Sequence, residues 1–339
     1  MAAETPVGEA VTTEAADDHA LARAGGAMRA LQRCALRQAL GWLVALGCAP
    51  VIAADYTFIV AGLGGEAEYE QRFREQAATL AEAARGAAED ASHVIALSGE
   101  AVTRKAVRGA LRELAGRVAA ADTVTIVLIG HGSFDGEEYR FNIPGPDLTG
   151  GELAVLFDAL PAKRQLIVNT TSASGAVAET WPRDGRIVVT ATKNGGERTA
   201  TRFAQHWTQA AATRAADVNK DDLVTAGEAF EYARRQVEAS FKADVALATE
   251  HARLEGGESQ RFAVARFGAA RASGGDPQVA ALLTQRGALE IELNAVKDRS
   301  ATLSADDYYD QLEAVLVRLA LLQREIDAQQ AALASGGGQ

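Results

Sequence analysis

Cysteine is nearly absent from this chain. Only Cys34 and Cys48 occur in 339 residues, and both lie near the N-terminus. The body of the protein therefore has no thiol, which excludes a disulfide framework and a thiol nucleophile there. Basic residues are also scarce, with 34 Lys and Arg against 45 Asp and Glu and a formal net charge of -11. Nucleic-acid binding needs clustered Lys and Arg, so this balance argues against it. Aromatic residues make up 6% of the chain. No apolar run reaches the ~20 residues that a membrane-spanning helix needs. What is present is an apolar content of 48%, ordinary for a globular protein. The length suits one main domain with an appendage.

The N-terminus reads as two stacked segments. Residues 1–27 are polar and alanine-rich without apolar periodicity, and are expected to be disordered or a mis-assigned start, with Met28 as the true one. Residues 28–54 carry basic Arg29, Arg33 and Arg37, then an apolar run from Ala39 to Gly47, then small residues up to Ala54. That order is the pattern of a secretory signal peptide, and implies a periplasmic or secreted mature chain that starts near Asp55 and leaves the membrane after cleavage. A membrane anchor and a buried helix are the alternatives. Gly47-Cys48 also suggests a lipoprotein site, although Ala45 stands where leucine is usual.

From residue 55 the pattern alternates. Tyr56–Ala61, Val94–Leu97, Thr123–Ile129, Gln165–Asn169 and Ile187–Thr190 are short continuous apolar runs, as strands buried on both faces require. Between them lie helical patterns at Glu66–Gly86, Val102–Ala119, Gly151–Leu160, Thr199–Ala212 and Ala226–Phe241. Asp135-Gly136 with alternating Tyr139, Phe141 and Ile143 predicts a hairpin. Strands alternating with helices predict an α/β domain over 55–270 with a mostly parallel sheet. Residues 271–277, rich in small residues and closed by Pro277, read as a linker. Leu282, Leu289, Leu293 and Val296, then Tyr308, Leu312, Val315, Leu319, Leu322 and Ile326, give two apolar seams. They predict an α-helical hairpin over 278–333, packed internally and on the main domain or used for dimer or partner binding as a coiled coil. Residues 334–339 read as a disordered tail.

Two strand ends carry the candidate chemistry. Ile126–Ile129 runs into Gly130-His131-Gly132-Ser133, and Gln165–Asn169 into Thr170-Thr171-Ser172-Ala173-Ser174-Gly175. In a parallel sheet both turns fall at strand C-terminal ends, where such folds place their sites. This layout resembles the caspase, legumain and gingipain clan of cysteine peptidases, and its legumain-type branch in particular. Glu68–Phe73, Ala101–Arg104 and the segment Asp217–Phe230 also resemble legumain-like stretches in the same order. The resemblance covers about residues 56–245. It implies a caspase-like sheet, a His131 that shuttles the proton to the leaving amine and a Gly132 amide that helps bind the oxyanion. It places Ser172 where the family has its cysteine. In that clan the histidine and nucleophile are not tightly hydrogen-bonded. A serine hydroxyl needs an adjacent oriented base, which a thiol does not. No third residue orienting His131 is evident, although Asp135 is close in sequence. Ser172 also suits a plain helix N-cap. Two readings stay open: a pseudo-peptidase, or pseudoenzyme, that binds a peptide or protein partner, and an active hydrolase using Ser172 and His131. Whether the chain is an enzyme is undecided at this level, cysteine-type activity alone being excluded.

Two further motifs complete the reading. Asp217, Asn219, Asp221, Thr225 and Glu228 place oxygen side chains at positions 1, 3, 5, 9 and 12 of a calcium loop, with the Leu223 carbonyl at 7. Asp222 stands where glycine is usual, and a solvated acidic turn is the alternative. No cofactor is required, and calcium is the single candidate. Gly62-Leu63-Gly64-Gly65-Glu66-Ala67 matches a dinucleotide fingerprint. Glu66, Glu68 and Glu70 would repel a pyrophosphate there, so a tight strand-to-helix turn is expected instead.

Overall fold

The computed structural model describes residues 53–88, 90–267, 276–300 and 303–336. The signal-segment expectations for residues 28–52, and most of the linker, lie outside them. Strands β1 (Asp55–Ala61), β2 (Val94–Leu97), β3 (Thr123–Ile129), β7 (Arg164–Asn169), β8 (Arg186–Thr190) and β10 (Arg253–Glu255) form a six-stranded sheet. Its order is β10-β8-β7-β3-β1-β2, and all neighbours are parallel except β10, which runs antiparallel to β8. The α/β reading therefore holds. The closing strand β10 is short and polar at both ends, so its pattern does not announce it.

Each strand turns successive side chains to opposite faces. Ile59, Val127, Leu166, Val168 and Val189 meet helices α1 (Ala67–Ala87), α4 (Phe203–Ala212) and α5 (Ala226–Ala243) on one side. Phe58, Val60, Ile126, Leu128 and Ile167 meet α2 (Arg104–Arg117) and α3 (Gly150–Asp158) on the other. Burial on both faces is why the runs are continuous rather than alternating. Helix starts follow side-chain caps. Thr103 accepts from Ala106 N at 3.2 Å, so α2 begins at Arg104 and not at Val102. Thr149 with Glu152, and Thr225 with Glu228, form capping boxes.

The predicted hairpin is present as β4 (Gly132–Phe134) and β5 (Tyr139–Phe141), joined to β6 (Leu148–Thr149). A second small sheet pairs β9 (Leu223–Thr225) with β11 (Ala263–Arg266). Helices α6 (Pro277–Asp298) and α7 (Ala305–Gly336) make the C-terminal hairpin, with Asp276 capping α6 ahead of Pro277. Leu282, Leu322 and Ile326 are buried along its seam, while Tyr309, Leu316, Val317 and Leu321 remain exposed. Among the described residues no helix is long and apolar enough to cross a membrane.

Candidate functional site

Strands β3 and β7 pair with Leu128 beside Asn169, so the turns that follow them leave the same sheet edge side by side. The turn carrying His131 and Gly132 thus lies beside the turn carrying Ser172, with Gly132 and Ser172 in contact. Gly132 permits this approach: a β-carbon there would lie 2.6 Å from the Ser172 carbonyl oxygen and 2.6 Å from Thr171 Oγ1.

The contact itself is backbone to side chain. Ser172 Oγ donates to the Gly132 carbonyl at 3.0 Å and accepts from Gly132 N–H at 3.2 Å. The residue is 2% exposed. The hydroxyl proton and one of its two lone pairs are thereby committed, and the amide assigned to an oxyanion is already engaged. The His131 ring stands elsewhere, edge-on to Tyr69 at 4.9 Å and Phe73 at 5.1 Å. Burial holds it below the ordinary imidazole range, partly opposed by the Gly64 backbone. Among the described residues no hydrogen bond joins His131 to Ser172. Asp135 does not orient His131 either. It caps its own turn through Glu137 N and Glu138 N and pairs with Arg140 at 2.5 Å.

Beneath the turn lies a polar network that pattern reading missed. The Tyr139 hydroxyl bonds Asn169 Oδ1 at 3.2 Å and Thr171 Oγ1 at 2.6 Å. Burial pushes the Tyr139 phenol well above its ordinary range, so it stays protonated. Thr201 Oγ1 ties the loop before α4 to the Thr170 carbonyl at 2.5 Å. That loop explains why α4 starts at Phe203 and not at Thr199. Ala173, directly after Ser172, is fully buried at φ 55, and its N–H donates to Glu197 O at 2.7 Å. A non-glycine residue in that region is uncommon, and such outliers cluster at functional turns.

The acidic loop keeps the expected local shape. Asp222 adopts φ 63, the left-handed conformation its place in the loop demands. However, the side chains are already engaged. Asp217 accepts from Asp221 N and Asp222 N, Asn219 from Asp221 N, and Asp221 Oδ1 from Leu223 N. Thr225 and Glu228 cap α5. The other Asp221 oxygen forms a buried ion pair with Arg286 of α6. Among the described residues no group of three acidic or imidazole side chains converges. In this arrangement Arg286 takes the Asp221 oxygen that a calcium ion would need. At the glycine-rich turn, Gly64 N–H is held by Glu70 Oε2 at 2.9 Å, which leaves that amide occupied, as a tight turn requires.

Glu250, away from the Ser172 turn, is the carboxyl whose pKa burial raises most among the described residues. It is 3% exposed, and its Oε2 accepts from Arg202 N at 2.6 Å at the start of α4. Burial, opposed by the Arg202 and Phe203 amides, pushes its pKa from 4.5 up to about 7. A carboxyl with a raised folded-state pKa favours folding fully below about 4.5 and loses that contribution as pH rises through about 7. Glu250→Gln is therefore expected to change stability by less than about 1 kcal/mol at pH 5 and to raise it at pH 8, by up to about 3 kcal/mol. Urea unfolding of both proteins at the two pH values checks this.

Comparison with known proteins adds no identification, since no family model and no curated protein matches the chain.

Proposed function

We propose that this is a peptidase-like protein of legumain type that binds a peptide or protein partner at the His131–Ser172 edge without cutting it. The observation that carries this reading is the state of Ser172. Its hydroxyl is buried and makes two hydrogen bonds to Gly132, while the His131 ring is turned toward Tyr69 and Phe73. A serine nucleophile needs its base within hydrogen-bond reach. The likeness to legumain-type enzymes rests on the motifs and on the two turns leaving neighbouring parallel strands. Export to the periplasm or outside the cell belongs to the same proposal and rests on residues 28–54. Self-association would use the exposed apolar residues of α7.

One observation favours the runner-up, a hydrolase using Ser172 and His131. The strained backbone of Ala173 next to Ser172 is the kind of feature that active-site turns hold. An assay of wild type, Ser172→Ala and Ser172→Cys on peptides cleaved by legumain-like enzymes separates the two. Wild type and Ser172→Ala are expected to show no turnover. Ser172→Ala is expected to cost about 1–3 kcal/mol, because the Gly132 amide and carbonyl lose their partner. Turnover gained only by Ser172→Cys would point to a site lacking nothing but its nucleophile. Wild-type turnover that disappears in Ser172→Ala would establish a serine hydrolase.

A further inference from the structure

Beyond the His131–Ser172 edge, a cavity of about 480 Å³ lies between the C-terminal half of α5 and the segment 246–252. Its apolar wall comes from Val237, Phe241, Ala246, Ala248 and Ala252, and its polar lining from Glu250 with Arg234, Glu238, Lys242 and His251. Volumes of this size hold small ligands or side chains.

The charges around it are already paired, with one exception. Arg234 bonds Glu231 at 2.8 Å, and Lys242 bonds Glu238 at 2.7 Å. His251 meets Glu197 at 2.5 Å. Arg202 reaches Asp244 at 2.7 Å and lies 4.2 Å over the Phe241 ring. Of the polar atoms lining this cavity, Glu250 Oε1 is the one buried without a hydrogen-bond partner among the described residues. In this neighbourhood the carboxylates Glu197, Glu231, Glu238, Asp244 and Glu250 exceed the cations Lys193, Arg202, Arg234 and Lys242 by one. A buried, unpaired carboxyl oxygen under apolar walls lacks a cation with an aliphatic stem.

We propose that this cavity receives a lysine side chain presented by a protein or peptide partner, its methylenes against the apolar walls and its ammonium on Glu250 Oε1. Lysine fits better than arginine because Oε2 is taken by the Arg202 amide. A single free oxygen matches a point-charge ammonium, whereas a guanidinium fork seeks two. A macromolecular source is favoured by the turn at the mouth. Val245 and Leu247 are 94% and 90% exposed there. Val245 sits at φ 52, a genuine outlier for a β-branched residue. Apolar residues flanking the lysine would cover both. Oε1 is covered from solvent, so entry shifts the 244–249 turn, and the strained Val245 marks where it gives. The proposal shares no wall residue with the Ser172 turn and stands whether or not that edge binds peptide.

The test is calorimetric titration at pH 8 with acetyl-Leu-Lys-Leu-amide, its arginine and Nε-acetyllysine counterparts, and n-pentylamine. The lysine peptide is expected to bind at least tenfold more tightly than any of the other three. Glu250→Gln is expected to lose at least tenfold in affinity for it. Ala248→Trp, which fills the cavity and leaves Glu250 in place, is expected to abolish binding while the protein stays folded by circular dichroism. No heat with the lysine peptide at about 10 mM, or equal affinity in Glu250→Gln, overturns the proposal. Equal binding of n-pentylamine and the peptide overturns the partner source.

Discussion

Gly175→Ala is expected to destabilise the protein by about 3 kcal/mol or more, at the upper end of overpacking costs. A β-carbon at Gly175 would lie 2.2 Å from the Asn194 amide nitrogen and 2.3 Å from the Lys193 carbonyl carbon. Both are backbone atoms, so no side-chain rotation relieves the clash. The loop 192–197 must move, and with it the Glu197 carbonyl that receives the Ala173 N–H. The damage therefore reaches the Ser172 turn directly. Gly109→Ala on the exposed side of α2 is the matched control, since a β-carbon there meets nothing within 4 Å. It is expected to stabilise by about 0.5–1 kcal/mol, through helix propensity alone. Urea unfolding curves of the two variants should shift in opposite directions. A Gly175→Ala midpoint equal to that of wild type would mean the turn is not packed as described.

Breaking the Arg286–Asp221 pair is the second large effect. The two side chains are 6% and 2% exposed. Removing one partner of a buried pair leaves an uncompensated charge and costs about 3–5 kcal/mol, whereas removing both is often nearly neutral. Arg286→Met is therefore expected to destabilise strongly and to raise hydrogen exchange in α6. Asp221→Asn with Arg286→Met is expected to recover most of the loss, because asparagine retains the acceptor for Leu223 N–H. Near-additive losses across this double-mutant cycle would refute the pair. The same variant tests calcium. Weak binding in the ~10⁻⁴–10⁻³ M range is the expectation for an isolated loop of this type. With Arg286 seated on Asp221, wild type should show none of it by calorimetry at millimolar calcium. Arg286→Met should bind, and regain part of its stability when calcium is added.

Much of the fold was legible in the residues. The runs Tyr56–Ala61 and Thr123–Ile129 announce strands buried on both sides, since only such strands can afford to be apolar without alternation. Thr103, Thr149 and Thr225 mark helix starts, because a cap acts within three residues of its own position. The seam from Val315 to Ile326 predicts the C-terminal hairpin by the same local periodicity. The approach of the Gly130–Ser133 and Thr170–Gly175 turns was legible as well, because parallel strands bring their following turns to one edge. The two cysteines, Cys34 and Cys48, lie before the α/β domain, so no cysteine falls at either candidate turn.

Other features depended on groups that meet only after folding. Ser172 could cap a helix or attack a carbonyl by sequence; the Gly132 backbone decides what its hydroxyl touches. The Asp217–Glu228 spacing reads as a cation loop until Arg286 arrives from a distant helix to neutralise Asp221. Glu250 sits in an unremarkable stretch, yet desolvation by α4 and α5 makes it the most strongly raised carboxyl of the described chain. Periodicity, caps and turns are fixed within a few residues and can be read along the chain. Burial, charge pairing and the orientation of a side chain are set by neighbours far away in sequence, so only the tertiary structure decides them.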